Sequence, residues 1–146
     1  MIVLDTNVLS ELVKPHPSPA VVGWLANQQG VELAVTTVTV AELFYGLELM
    51  PRGKRRTQLT EVLDHLLTPF LDTLLSFDAV AALRYGAIKA ERDRSGHPIS
   101  VQDAMIAGIA LAHHASVATR NTKDFAGTAV DVANPWETGP DAGRLR

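Results

Sequence analysis

The chain has 146 residues, of which 47% are hydrophobic and 20% are charged, which is typical of one globular domain with a real core and excludes a disordered chain. It contains no cysteine, which excludes disulfides and thiolate metal sites and favours a cytoplasmic protein. The net charge of −3 argues against binding nucleic acid by overall charge, so any such binding needs a local basic patch or metal ions.

The first half of the chain predicts short strands alternating with helices. Residues 2–4 form an apolar run that ends directly at Asp5, which predicts a buried strand with Asp5 at its C-terminal end. The N-terminus lacks a basic leader and a long apolar run, so we expect no signal peptide. Residues 39–42 match a capping box, which predicts a helix from there to about Met50. The other predicted elements are a helix over 8–13, an amphipathic helix over 20–28, a strand over 33–35 and a helix over 54–67.

The second half of the chain continues this alternation. Its predicted elements are a strand over 71–77, a long helix over 78–94, a turn at 96–98, a helix over 101–114 and strands over 116–119 and 130–132. The helix over 101–114 is almost wholly apolar, so we expect it to be central, but its apolar stretch is too short to span a bilayer. The long helix should turn five apolar side chains inward, namely Val80, Ala81, Leu83, Ala87 and Ile88.

The order of these elements predicts an α/β fold. Alternating strands and helices favour a three-layer α/β/α sandwich with a central, mostly parallel sheet. The domain is expected to cover residues 1–136, and residues 137–146, rich in Gly, Pro and charge, to form a frayed tail. In such sheets ligands bind beyond the C-terminal ends of the strands, which is where Asp5 lies and where Asn121 follows a strand.

Several acidic or amide side chains stand where predicted strands end or helices begin. They are Asp5, Glu42, Asp103 and Asn121, with Asp124 close behind. Each acid also has a purely local explanation, because a carboxylate at a helix start satisfies free N–H groups and suits the helix dipole. Asp5 could simply cap the first helix, and Glu42 and Asp103 could close capping boxes.

Taken together, the carboxylates indicate a divalent metal site. Asp5 follows an apolar strand without a spacer and Asp103 precedes the apolar residues 104–107, so both should be partly buried. Carboxylates gathered out of water repel one another unless a cation joins them. Oxygen ligands without cysteine select hard cations such as Mg²⁺ or Mn²⁺. Two such ions can activate a water and stabilise the leaving oxygen of a phosphodiester, provided that the fold brings the carboxylates together.

Four motifs, in order, resemble those of the PIN-domain ribonucleases. They are 4–7 (LDTN), 38–43 (VTVAEL) with Gly46, 103–107 (DAMIA) and 118–121 (ATRN). The likeness is strongest to the VapC toxins and, among them, to the FitB-like branch, which residues 134–136 (NPW) also resemble. It runs from residue 1 to about 136. The resemblance implies the PIN fold and Mg²⁺-dependent endonucleolytic cleavage of RNA by a metal-activated water.

The resemblance also implies a set of site residues. Asp5, Glu42 and Asp103 fall on the three acidic positions of the family and would hold Mg²⁺, for which Mn²⁺ can substitute. The fourth position is often Asp and here is Asn121, whose amide oxygen can still accept a hydrogen bond or hold a water. This departure leaves open whether one metal or two bind. Asp124, one helical turn further on, is the alternative fourth acid.

Neighbouring polar residues have two interpretations each. Thr6 and Asn7 are either ordinary helix-start residues or, as in the family, neighbours of the metal site, where Thr6 orients a carboxylate and Thr119 acts similarly. Arg120 and Lys123 flank Asn121 and are the better candidates for contacting RNA. The basic cluster over 52–56 is either a solvated face or a phosphate contact near the cleft.

The resemblance implies partners as well as chemistry. A toxin of this kind belongs to a type II toxin–antitoxin system, forms a homodimer, and is encoded beside a small VapB- or FitA-like antitoxin that blocks the cleft. DNA is then contacted only through the antitoxin, and no membrane is involved. Two alternatives stay open: another metal-dependent nuclease of the same fold, and an inactive PIN domain that acts as a binding module. The absence of arches for threading DNA argues against the first, and the three retained acids argue against the second.

Overall fold

The central layer is a parallel β-sheet. The computed structural model describes residues 1–137, so the predicted tail lies outside the described residues except for Glu137. Within 1–137 the sheet has four strands in the order β2-β1-β3-β4, all parallel. They are β1 (Ile2–Leu4), β2 (Leu33–Ala34), β3 (Ser116–Ala118) and β4 (Val132–Ala133). The first strand of the chain is therefore central, and its C-terminal end lies beside that of β3.

Helices cover both faces of this sheet. They are α1 (Thr6–Leu12), α2 (Pro19–Ala26), α3 (Thr37–Leu49), α4 (Lys54–Leu67), α5 (Ala79–Arg94), α6 (Val101–Ala112) and α7 (Thr122–Phe125). Successive side chains of β1 point to opposite faces, so Val3 packs into one buried cluster with α5 and α6 residues, whereas Ile2 and Leu4 pack into another with α1 to α4. The predicted α/β/α sandwich is thereby confirmed. In the described part of the chain, no helix is long and apolar enough to cross a membrane.

The strand predicted over 71–77 is wrong. A 3-10 helix occupies Thr68–Thr73, with Pro69 in its first turn, and pairing with the sheet is limited to a single parallel bridge between Thr36 and Leu75. A short apolar run is compatible with a strand or with a buried helical segment, and here the fixed φ of Pro69 favours the helical turn. The predicted last strand is also displaced, from 130–132 to β4.

The start of α3 differs from the prediction in a way that matters for Glu42. Thr36, not Thr39, is the N-cap, and its hydroxyl oxygen accepts a hydrogen bond from the Thr39 backbone N–H at 3.0 Å. The helix begins at Thr37, two residues earlier than predicted. Glu42 consequently lies in the second turn and closes no capping box.

The inward face predicted for α5 is only partly right. Ala81 and Ile88 are buried, but Val80, Leu83 and Ala87 are exposed, with Leu83 78% accessible. Gly108 of α6 allows the backbones of α5 and α6 to approach each other closely. A Cβ at Gly108 would lie 2.6 Å from the backbone oxygen of Ala81. The side chains of Val80, Leu83 and Ala87 therefore project away from the core.

Candidate active site

Asp5 is the buried centre of the candidate site. It follows β1 directly, caps α1, and is 3% exposed. Its Oδ1 accepts a hydrogen bond from the Thr6 backbone N–H at 2.8 Å. Its Oδ2 accepts from Asn7 Nδ2 and from Thr119 Oγ1, both at 2.7 Å. Asp5 is thus a helix cap, as its position predicts, but capping accounts only for the hydrogen bond to Oδ1 and not for those to Oδ2.

The surroundings of Asp5 disfavour its negative charge. Burial raises the pKa of Asp5 from 3.8 to about 6, against the opposing effect of the hydrogen bonds from Thr119 and Thr6. The nearby negative charges of Asp103 and Glu42 are smaller contributions to the same rise, and the value of about 6 includes them. A buried carboxylate with two acidic neighbours and a raised pKa is the arrangement expected where a cation is to bind.

Glu42 and Asp103 reach the same cleft from other elements. Thr6 Oγ1 donates to Glu42 Oε2 at 2.5 Å, which ties the first turn of α1 to α3. Ser100 caps α6 by accepting from the Asp103 backbone N–H at 3.0 Å, and its hydroxyl donates to Asp103 Oδ2 at 2.7 Å. Burial raises the pKa of Asp103, as does the charge of Asp124. The predicted capping function of Asp103 is therefore real, and its carboxylate still lines the cleft.

The cleft that joins these acids has a volume of about 490 Å³. Its lining residues are Asp5, Thr6, Asn7, Ser10, Glu11, Lys14, Glu42, Ser100, Asp103, Arg120, Asn121 and Trp136. Among residues 1–137, no three acidic or histidine side chains are close enough together to hold one ion by themselves. The donor set nevertheless fits Mg²⁺, which is usually bound by one or two carboxylates and keeps several waters.

A hydrogen-bonded network connects the predicted supporting residues. Asn7 Nδ2 also donates to Thr119 Oγ1 at 2.9 Å, and Asn7 Oδ1 accepts from the Arg120 backbone N–H at 3.1 Å. The Asn121 backbone N–H donates to Thr119 Oγ1 at 3.0 Å. Thr119 is fully buried, so its hydroxyl fixes the loop after β3 against Asp5. This network holds Asn121 at the cleft wall.

Two residues that were predicted near the site, Lys123 and Asp124, do not line the cleft. Lys123 is exposed and Asp124 is half-buried, both on α7, and neither lines the cleft. Asp124 is near enough for its charge to act on Asp103, whereas Asn121 lines the cleft directly. Of the two candidates for the fourth position, Asn121 is therefore the better placed.

Several cleft residues were not predicted from the sequence. Glu11 and Lys14 on and after α1 line the cleft, as does Trp136, over whose ring the Arg120 guanidinium carbon lies at 5.4 Å from the centroid. The spacing of Glu11 and Lys14 suits an ion pair on one helix face, which was the available signal. The approach of Trp136 to Arg120 depends on β4 pairing with β3, which no local pattern reveals.

A second, apolar cavity of about 630 Å³ adjoins the cleft. It lies between α1, α3 and α4, and Leu43, Leu47, Leu59 and Leu63 are among its lining residues. Four residues line both cavities, namely Thr6, Ser10, Lys14 and Glu42. The acidic cleft therefore opens into an apolar groove.

Comparison with known proteins agrees with this geometry. The PIN domain family matches residues 2–130. The chain is 44% identical over 138 residues to VapC ribonuclease Y4jK of Sinorhizobium fredii, covering 94% of this chain and 99% of that protein. It is 39% identical to toxin FitB of Neisseria gonorrhoeae over 137 residues, covering 93% of this chain and 99% of that protein.

Solved structures give the same result. The structure of FitAB bound to the IR36 DNA fragment matches with a TM-score of 0.86 and 36% identity, covering 95% of this chain and 98% of that one. A toxin–antitoxin complex from Klebsiella pneumoniae matches with a TM-score of 0.71 and 25% identity, covering 94% and 100%. The fold, the order of the acidic residues and these near full-length similarities establish that the chain belongs to the PIN-domain family, in the group that contains the VapC ribonucleases and toxin FitB.

Proposed function

We propose that this protein is a Mg²⁺-dependent endoribonuclease and the toxin component of a type II toxin–antitoxin system. The observation that carries the proposal is the buried Asp5 carboxylate, which shares a cleft with Glu42 and Asp103 at the C-terminal end of the central strand. The similarity to a VapC ribonuclease and to toxin FitB supports the same conclusion. Mn²⁺ is expected to substitute for Mg²⁺, because both prefer oxygen ligands.

Each residue of the site has a distinct function in this proposal. Asp5 and Asp103 are the main metal ligands, and Glu42 completes the acidic set. Mg²⁺ held by these carboxylates would supply the Lewis-acid chemistry for attack of water on a phosphodiester and for departure of the leaving oxygen. Thr119 and Asn7 hold the Asp5 carboxylate in place through its Oδ2.

The cations near the site are proposed to bind RNA. Arg120 follows the buried Thr119 and lines the cleft, so its guanidinium can contact a phosphate beside the metal. Lys123 is exposed on α7, outside the cleft lining. This position suits a contact with a phosphate further along the RNA strand. The basic residues over 52–56 include Arg55, which lines the apolar groove and not the acidic cleft.

The proposal is tested by RNA cleavage with matched variants. Wild type should cleave a fluorogenic single-stranded RNA with Mg²⁺ and stop when EDTA is added. Asp5→Asn and Asp103→Asn should lose at least about a hundredfold in rate, because removing a ligand weakens metal binding while Asn preserves the helix cap. Circular dichroism should show an unchanged fold.

The same assay separates the alternatives. Cleavage of DNA but not RNA would indicate another metal-dependent nuclease of this fold. Metal-independent binding of RNA without cleavage would indicate a binding module. Full activity in either aspartate variant would remove the proposed site.

The apolar groove is proposed to bind the antitoxin. It joins the acidic cleft through shared wall residues, so a segment lying along α1, α3 and α4 would also block entry of RNA. The similar FitAB structure is bound to DNA, and by analogy this toxin would contact DNA only through its partner. We also propose a homodimer, which light scattering at micromolar concentration would detect. Co-purification of the protein encoded by the adjacent reading frame tests the antitoxin.

A further inference from the structure

Lys14 and Glu11 form an ion pair in the lining of the acidic cleft. Lys14 Nζ donates to Glu11 Oε2 at 2.5 Å, and Glu11 Oε1 accepts from the Ser18 backbone N–H at 2.9 Å. Glu11 is 7% exposed, whereas the Lys14 side chain is 56% exposed. The carboxylate is therefore fixed by two donors, and the ammonium group that it holds faces solvent.

The environment of Glu11 differs from that of an ordinary surface acid. Its pKa is lowered chiefly by the hydrogen bond from Lys14, then by the Ser18 N–H and by the charges of Lys14 and Arg120. Arg120 is held separately, over the ring of Trp136. Two cations from different elements are thus anchored near one another, each by its own partner.

Charge balance shows why such cations are needed. Four acidic side chains line the cleft, and its only basic lining residues among those described are Lys14 and Arg120. An RNA strand entering a cleft with excess negative charge is repelled unless cations meet its phosphates. In the proposed function a metal held at Asp5 would meet only the phosphate being cleaved, so the neighbouring phosphates would need basic side chains.

We propose that Lys14 is a phosphate-binding residue for the RNA strand, and that Glu11 is the positioning residue that holds it in the cleft lining. Lysine has three donors, of which Glu11 engages one, so the others are available to a phosphate oxygen. The ion pair with Glu11 already restricts the Lys14 side chain, so less side-chain entropy is lost when RNA binds. This inference rests on the proposed ribonuclease function and adds a substrate contact to it.

Binding measurements test the proposal. A fluorescein-labelled single-stranded oligoribonucleotide is titrated with full-length Asp103→Asn protein in Mg²⁺, so that binding is measured without cleavage. Adding Lys14→Gln should raise Kd about tenfold, as expected for losing a charge-assisted contact. The slope of log Kd against log salt concentration should fall by about 0.7, the value for one phosphate contact on a single strand.

Three variants separate this role from a structural one. Lys14→Arg should retain the salt slope, because the charge stays. Lys89→Gln breaks a similar lysine–aspartate pair on α5, away from the cleft, and should leave Kd unchanged. Glu11→Asp keeps the net charge but shortens the acidic side chain that holds Lys14. It should weaken RNA binding less than Lys14→Gln does and should preserve the salt slope.

The outcomes distinguish this proposal from the proposed function. In otherwise wild-type enzyme, Lys14→Gln should raise KM with little change in kcat. Unchanged Kd and salt slope in Lys14→Gln, with RNA still cleaved by wild type, would overturn the role of Lys14 alone. Wild-type protein that neither binds nor cleaves RNA would overturn both.

Discussion

At the scale of single residues, the site shows one carboxylate serving two purposes. Asp5 caps α1 through Oδ1, and its other oxygen is held by Asn7 and Thr119 in the cleft. Helix capping explains why an acid is tolerated at this position, but it does not explain the burial and the two acidic neighbours that raise its pKa. A bound cation would offset the free-energy cost of burying the Asp5 carboxylate.

The raised pKa of Asp5 predicts a pH-dependent stability. Its folded pKa of about 6 exceeds the unfolded value of 3.8, so the protonated form favours folding. The associated stability is complete below pH 3.8 and is lost as the pH rises through 6, by about 3 kcal/mol in metal-free protein. Denaturation in EDTA should therefore show wild type losing stability relative to Asp5→Asn between about pH 4 and 6. A pH-independent difference would contradict the assignment.

Asn121 predicts an unusual metal requirement. Because its amide carries no charge, the first ion should bind mainly through Asp5 and Asp103, and a second ion should bind weakly until RNA supplies phosphate oxygens. Asn121→Asp should lower the Mg²⁺ concentration for half-maximal cleavage several-fold, and Asn121→Ala should cost less activity than Asp5→Asn. Mg²⁺ titrations of the cleavage rate give these values. An unchanged requirement in Asn121→Asp would place Asn121 outside the metal shell and direct attention to Asp124.

At the scale of elements, the sequence predicted helices well where cap and periodicity agree. The helices predicted over 78–94 and 101–114 are observed as α5 and α6, with Asp78 and Ser100 as their N-caps. The start of α3 was misplaced because three threonines lie within four residues and each is an acceptable cap, so only the fold selects Thr36. The strand expected over 71–77 failed for a similar reason, since its apolar side chains suit either structure.

Close packing of α5 on α6 gives a prediction for Gly108. Gly108→Ala places a Cβ 2.6 Å from the Ala81 oxygen and 3.1 Å from the Tyr85 nitrogen, so the two helices must separate. We expect a loss of about 1–3 kcal/mol in the free energy of unfolding, measured by chemical denaturation. Gly86→Ala is the control, because Gly86 is exposed on α5 with nothing near its Cβ direction, and should gain up to about 1 kcal/mol. Equal effects in both variants would contradict the packing argument.

At the scale of the whole molecule, local patterns predicted the fold class and the three acids but not the full cleft. Asp5 and Asp103 were identifiable because strand ends and helix starts are visible in sequence. Glu42 lies in the second turn of α3 and was identifiable only because the motifs occur in order. Glu11 and Trp136 were missed because they reach the cleft only through the arrangement of α1, β3 and β4. The homodimer stays a prediction, and the exposed Leu83 on α5 is apolar surface that it could cover.

The pairing of β1 with β3 has a consequence for synthesis of the protein. The Asp5 carboxylate is translated before the Thr119 hydroxyl that fixes it, which lies 114 residues further along the chain. Strand β1 also lacks its β3 neighbour until residues 116–118 have left the ribosome. A nascent or prematurely terminated chain that lacks β3 therefore has no assembled candidate active site. The order of the strands therefore prevents assembly of the site until β3 is available to pair with β1.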